Sequence, residues 1–573
     1  MKFRIAIVTT FLGTLWASNL GAQTNTLLIV ADDVGVDAIS AYKEGTAPPP
    51  TPTIDALAKN GILFRNAYAN PICSPTRATL HTGRYCVRTG VGAVVSYGLG
   101  APLSLEEYTL PELLKQKGFG TSLIGKWHLG DARNGGDNGP NLAGWSHYAG
   151  HMWNFKAPET YFSWRKVTNG KVTTSKVYAT TDNVNDALGW IQTQTTNKKP
   201  WVCCICFNAA HGPFHVPPNA LHTYNITNTS PVPLKFKAMV QAIDTEIGRL
   251  LTALPAAVLA KTNVIFVGDN GTPPGASEAP FTGVHAKTTL YEGGTNVPLI
   301  IAGPAVVSPG REEKGLVASV DLFPTVLELA GIDPRTTVPR SIPLDGISLL
   351  PYLKKTNNGS LRQTIYTERF GSKLSAARKD GAAIRNQTYK LIRWTTPVHE
   401  QFFNLAVDGF EKVNLLARAL NATERANYNA LAAELSRLRA DYFPFGAGCS
   451  GKLPTAPRLE LLNDGLPRVG STFVTLVAGA SANAPVAVGC LGVAKQDIDL
   501  IVLGMPGCKL LVSLDQLSVF PIQSGYGVWL LPVPNLANLV GATVYQQAIV
   551  VEPLANQQNL IMSHGARVTV GGK

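Results

Sequence analysis

From Thr26 to about Ala302 the chain sets short, wholly apolar runs between longer helical patterns. The runs are "TLLIVA", "FGTSLI", "WVCCICF", "NVIFVG" and "VPLIIA". None alternates with polar residues, which is the pattern of strands covered on both faces and predicts a largely parallel sheet. Between the third and fourth runs, "FKAMVQAIDTEIGRLLTAL" carries Val240, Ile243, Ile247, Leu250 and Leu254 at helical spacing. A strand, a helix and a second strand in that order make a crossover, so the first part is predicted to be α/β with helices on both faces.

The pattern then changes twice. Around 360–445, "AAIRNQTYKLIRW" and "EQFFNLAVDG" read as antiparallel strands joined by a turn, followed by a helix over "TERANYNALAAELSRLRADYF". This α+β piece is too small to be a catalytic domain by itself and is expected to pack on the first. After the Gly- and Pro-rich "PFGAGCSGKLPTAP" the chain is poor in charge and rich in Val, Leu and Gly. Short runs such as "STFVTLVAG", "DLIVLG", "KLLVSL" and "YQQAIVVEP" between turn residues predict an all-β sandwich. The expected units are therefore 23–355, 356–445 and 446–573.

Residues 1–22 read as a secretory leader: Lys2 and Arg4, an apolar run from Ile5 to Trp16, then small Gly21 and Ala22. The run is too short to span a bilayer, and no other stretch of about 20 apolar residues follows. The mature protein is thus expected to be periplasmic or secreted, without a transmembrane segment. Formal net charge is +12, and residues 446–573 hold seven Lys and Arg against six Asp and Glu, so the basic excess lies upstream. No Arg/Lys block or aromatic-basic repeat accompanies it, which disfavours nucleic acid and favours an anionic substrate. Eight cysteines in 573 residues are too few for a disulfide framework. Cys203, Cys204 and Cys206 belong to an apolar run and read as core, whereas Cys73 stands in a polar loop.

In an open parallel sheet, ligands bind beyond the carboxyl ends of the strands. Those ends carry Asp32 and Asp33 after "TLLIVA", Lys126 and His128 after "FGTSLIG", His211 and His215 after "WVCCICF", and Asp269 and Asn270 after "NVIFVG", with Lys287 following. Three carboxylates and an amide oxygen are hard donors suited to Ca²⁺ or Mg²⁺. Lysines and histidines beside them can hold a tetrahedral oxyanion, so a sulfate or phosphate ester is the substrate class. The nucleophile candidate is Cys73, at what reads as a helix start in "CSPTRATL". A tyrosine-phosphatase loop needs five residues between its cysteine and arginine; Cys73 and Arg77 are separated by three.

"CSPTR" followed by "LHTGR" resembles the signature of type I sulfatases, and "GFGTSLIGKWHLG" resembles their second signature. The resemblance runs over roughly 26–445. It implies an alkaline-phosphatase-like α/β fold and a cysteine, Cys73, oxidised to formylglycine (3-oxoalanine) by a maturation enzyme. It further implies one Ca²⁺ held by Asp32, Asp33, Asp269, Asn270 and the modified Cys73. In the family's mechanism the hydrated aldehyde, steadied by Arg77 and Lys126, attacks sulfur. His128 is then the base that expels sulfate, His211 and Lys287 protonate the leaving alcohol, and Lys126 binds sulfate oxygens. Two positions depart from the signatures: His81 stands where an apolar residue is usual, and Phe119 replaces Tyr or Val.

A phosphonate or phosphodiester hydrolase of the same superfamily can share C-x-P-x-R. Such enzymes typically place a histidine after the late aspartate, and Asn270 argues against them. A catalytically silent carbohydrate-binding protein would result if Cys73 were never modified. The substrate is expected to be a sulfated carbohydrate or an aryl sulfate, and the aromatic and basic segment 145–170 is a candidate contact for the group that bears the sulfate. Cys449 and Cys508 are chosen as a disulfide pair, with Cys490 as a competing partner.

Overall fold

The structure is a computed structural model describing residues 24–96, 100–339, 342–356, 358–370, 380–395, 398–438, 441–461, 466–539 and 542–571; the expected leader, 1–22, lies outside them. A ten-stranded sheet is built from β1 (Asn25–Ala31), β2 (Gly61–Tyr68), β3 (Gly120–Gly125), β4 (His147–Gly150), β5 (Trp164–Thr168), β6 (Lys171–Ser175), β7 (Trp201–Cys206), β8 (Thr262–Gly268), β9 (Leu299–Ala302) and β10 (Arg311–Ala318). Their order across the sheet is β10-β2-β9-β8-β1-β7-β3-β4-β5-β6. The centre, β8-β1-β7-β3-β4, is parallel throughout, with Leu28 opposite Cys204 on one side and Ile265 on the other. So Asp32, Lys126, His211 and Asp269, which follow four neighbouring parallel strands, emerge at one edge.

Alternate residues of each central strand feed two separate cores. Leu28, Val30, Cys204 and Ile265 face one, while Leu27, Ile29, Cys203 and Phe266 face the other. Each such side chain contributes about 1.5–3 kcal/mol on burial, which is why no polar residue interrupts these runs. The run "VPLIIA" differs from expectation in direction: β9 is antiparallel to both β2 and β8. Its Leu299 and Ile301 face one core and Ile300 the other. Continuous apolarity reports double-sided burial, and that holds for a central strand of either direction. The helix Val232–Ala253 buries Val240, Ile243, Ile247 and Leu250, the face its periodicity requires.

The second sheet, β11 (Ile365–Arg369), β12 (Gly381–Arg385), β13 (Tyr389–Thr395) and β14 (Val398–Asn404), is antiparallel. The helix Ala422–Arg437 follows, started by a reciprocal pair in which Asn421 and Glu424 each accept the other's backbone N–H at 2.9 Å. This piece packs on the first as expected: Tyr68, Leu316 and Ala318 share an apolar cluster with Ile384, Leu391 and Leu431.

The remaining strands form an antiparallel sandwich whose core stacks Phe520 on Trp529, centroids 5.9 Å apart. Its sheet takes in Asp441–Phe445, which pairs with Gly565–Thr569, ahead of the expected boundary at 446. Cys449 is joined to Cys508, while Cys490 is a free, buried thiol. Toward the α/β part, Lys495 lies 3.5 Å from Glu106 and Arg567 donates to the carbonyl of Arg88. Among the described residues no helix is long and apolar enough to cross a membrane.

Candidate active site

Asp32 and Asp33 leave the end of β1, and Asp269 and Asn270 leave the adjacent β8. The helix Cys73–Thr82, buried along its whole length, delivers Cys73 at its N-terminal tip and Arg77 one turn later. That helix ends at Gly83, in the left-handed region at φ 68°, where an added Cβ would meet the Phe323 ring at 2.5 Å. Asp32, Asp33, Cys73 and Asp269 each place one ligand atom within 4.8 Å of the others. Asp33 Oδ1 and the carbonyl of Gly271 take both amide protons of Asn270, at 2.9 and 3.0 Å. This fixes the amide's orientation and leaves Asn270 Oδ1 buried with no hydrogen-bond partner. A buried acceptor left open beside three carboxylates fits a hard cation such as Ca²⁺.

Cations surround the carboxylates. Lys126 Nζ contacts Asp32 Oδ2 and Lys287 Nζ contacts Asp33 Oδ1. Arg77 places Nε at 3.1 Å and Nη2 at 2.9 Å from the same oxygen, Asp269 Oδ2. Its Nη1 donates to the carbonyl of Lys126 at 2.9 Å. Burial opposes charge on Arg77 and Lys287, but the facing carboxylates outweigh it and both are held above their ordinary values. The Cys73 Sγ lies 3.3 Å from Asp32 Oδ1 and 3.7 Å from Lys287 Nζ. Burial, then Asp32, pushes this thiol far up, so it is not a ready thiolate.

Both histidines expected in the site are there. His128 is fully buried with neither ring nitrogen hydrogen-bonded. Burial and the neighbouring Lys126 and Arg77 push it well down, so it is a neutral base. Asp33 at φ 62° and His128 at φ 60° both occupy the left-handed region, where a non-glycine residue costs about 1–2 kcal/mol. Their backbones are held in return: Asp33 N–H donates to Asp269 Oδ1 at 3.1 Å and His128 N–H to the Met152 carbonyl at 2.8 Å. His211 Nε2 lies 3.9 Å from Asp33 Oδ2, and its Nδ1 bonds the Gly212 carbonyl at 2.8 Å. Burial and the two lysines lower His211 to about 3.

The remaining expectations resolve differently. His215 is no rival to His211: its Nδ1 donates to the Pro213 carbonyl and its Nε2 accepts from Tyr178 Oη, each at 3.0 Å. His81 is buried and stacks on Trp127, centroids 5.5 Å apart, beneath the segment that carries Lys126 and His128. Phe119 is buried in the core just ahead of β3. Two participants were not singled out from sequence. Cys206, treated as core, ends β7 with its side chain beside Arg77. Its place at a strand end was the available signal. Tyr161 Oη sits 2.6 Å from the carbonyls of both Asn208 and His211, sharing one proton between them and pinning the loop.

The sulfatase family pattern matches residues 24–332. The chain belongs to the sulfatase family. It is thereby a member of the alkaline phosphatase superfamily and a sulfuric ester hydrolase. The C-terminal pattern of N-sulphoglucosamine sulphohydrolase matches residues 282–441 of the same sulfatase. Rat N-acetylgalactosamine-6-sulfatase is 31% identical over 375 residues, 59% of this chain and 67% of the rat protein. Mouse arylsulfatase J is 26% identical over 463 residues, 69% of this chain and 73% of the mouse protein. Among solved structures, Ps i-CgsB in complex with k-i-k-neocarrahexaose superposes with a TM-score of 0.62 at 27% identity, covering 73% of this sulfatase and 93% of that chain.

Proposed function

We propose that this sulfatase is exported and releases sulfate from sulfated carbohydrates, and from aryl sulfates, using formylglycine made from Cys73 and one Ca²⁺. The observation that carries the reading is the open Asn270 Oδ1 beside Asp32, Asp33, Asp269 and Cys73, ringed by Arg77, Lys126 and Lys287. Asp32, Asp33, Asp269, Asn270 and residue 73 would hold the ion. When present, the hydrated aldehyde supplies a hydroxyl nucleophile and Ca²⁺ supplies positive charge against the sulfate oxygens.

The chain's own side chains do the rest. Arg77 and Lys126 fix residue 73 and the sulfate oxygens with charge already in place, which costs no reorganisation as negative charge develops. His128, neutral and unpaired, takes the proton whose removal expels sulfate. Lys287 carries a proton toward the leaving alcohol, and its pairing with Asp33 holds that proton tightly until charge develops on the alcohol oxygen. His211 carries its proton on Nδ1 toward Gly212, so Nε2 presents a lone pair to the alcohol and must first be protonated before it can act as an acid. The likeness to N-acetylgalactosamine-6-sulfatase and to the k-i-k-neocarrahexaose complex supports a sugar substrate.

Trypsin releases residues 66–77 as one peptide. Mass spectrometry of active protein is expected to find an aldehyde at residue 73, and sulfate release is expected from sulfated sugars. An active preparation with only unmodified Cys73 would overturn the reading.

A further inference from the structure

The loop between β4 and β5 and the segment after β6 both emerge at the sheet edge that carries the catalytic groups, because β4 runs parallel to β3 and β5 returns antiparallel. Phe162 sits on that loop with 42% of its surface exposed. It is braced from behind: its ring centroid lies 5.1 Å from that of Tyr178 and 5.6 Å from that of His215. His215 in turn lies over Tyr161, centroids 4.2 Å apart, and Tyr161 Oη bonds the His211 carbonyl. Four aromatic rings thus run from the group that faces the leaving alcohol out to an open phenyl face.

A large aromatic ring left open at a catalytic mouth, and fixed by tyrosine and histidine hydrogen bonds on its hidden side, is a preformed stacking surface. The backbone beneath it is fixed as well, since Phe162 N–H and Ser163 N–H both donate to Thr160 Oγ1 at 3.2 Å. His215 has no ring nitrogen left for a ligand, so its place here is structural.

We infer that Phe162 is the floor of a pyranose subsite that stacks under the sugar whose sulfate is removed. This rests on the carbohydrate reading above. The full-length enzyme is assayed for sulfate release from sulfated monosaccharides and oligosaccharides, with inorganic sulfate as a competitive inhibitor that reports on the sulfate end alone. Phe162→Ala is expected to raise KM for the best sugar substrate on the order of 10-fold, with kcat within about 3-fold. Phe162→Tyr keeps the ring and is expected to restore KM, and the inhibition constant for sulfate stays unchanged in both variants. An unchanged KM in Phe162→Ala overturns the inference. So does an equal rise in the sulfate constant, which would mark general disruption of the site. A wild-type enzyme that cleaves aryl sulfates but no sulfated sugar overturns the carbohydrate reading itself, and the subsite with it.

Discussion

Arg77 spends two of its N–H groups on a single oxygen, Asp269 Oδ2, at 3.1 and 2.9 Å. The other oxygen of Asp269 receives the Asp33 backbone at 3.1 Å, so one buried guanidinium sets the angle of one expected metal ligand and steadies the next. Lysine can supply the charge but not the fork. Arg77→Lys is expected to lower kcat by about 100-fold or more and to lower stability by about 3 kcal/mol, since a buried carboxylate loses part of its pairing. Steady-state kinetics and denaturant melts of the same preparation check both.

Chelation tests the oxygen cage. Thorough removal of divalent ions is expected to abolish sulfate release, and Ca²⁺ is expected to restore it. Asn270→Ala removes the open acceptor and is expected to weaken calcium binding at least about 10-fold while the fold persists. Calorimetric titration of calcium into the stripped protein measures this without reference to turnover.

Asp37 gives stability a pH dependence of known sign. Burial pushes its carboxyl up to about 6, against the hydrogen bond from Thr272 Oγ1 at 2.7 Å. Between about pH 4 and pH 6 the folded protein keeps a proton that the unfolded chain has lost. Stability contributed by this group therefore falls as pH rises through that window and is level above it. Asp37→Asn is expected to flatten the slope and to gain on the order of 2–3 kcal/mol at pH 7. Melts across pH 4–8 for both proteins decide it.

The all-β tail is expected to be dispensable for chemistry. The candidate catalytic and metal-binding residues precede residue 290, and the half-exposed Lys495–Glu106 pair is worth at most about 1 kcal/mol. Because Asp441–Phe445 belongs to the tail's sheet, a truncation should end at Leu438 and not at Phe445. Turnover of an aryl sulfate is expected to stay within a few-fold. Complete loss in a folded truncation would mean that the tail helps to build the site.

The strand ends announced the site because chemistry at a parallel sheet's carboxyl edge needs polar residues immediately after apolar runs, as with Asp32 and Asp269. The direction of β9 was not readable, since "VPLIIA" is buried on both faces whichever way it runs. Residue chemistry alone did not separate His215 from His211, four residues away; the family resemblance pointed to His211, and in the structure Pro213 and Tyr178 occupy both nitrogens of His215. The strand Asp441–Phe445 was hidden because the helical reading ran on through "ADYF", whereas the helix ends at Arg437, and the strand's partner, Gly565–Thr569, lies more than a hundred residues on.

That distant pairing has a consequence for how the chain is made. The strand Asp441–Phe445 is synthesised long before the segment that covers one of its edges. In the interval the chain carries that strand with its partner still missing, and such edges are templates for pairing between molecules. Biosynthesis is therefore a stage at which this molecule is exposed to pairing with its own copies.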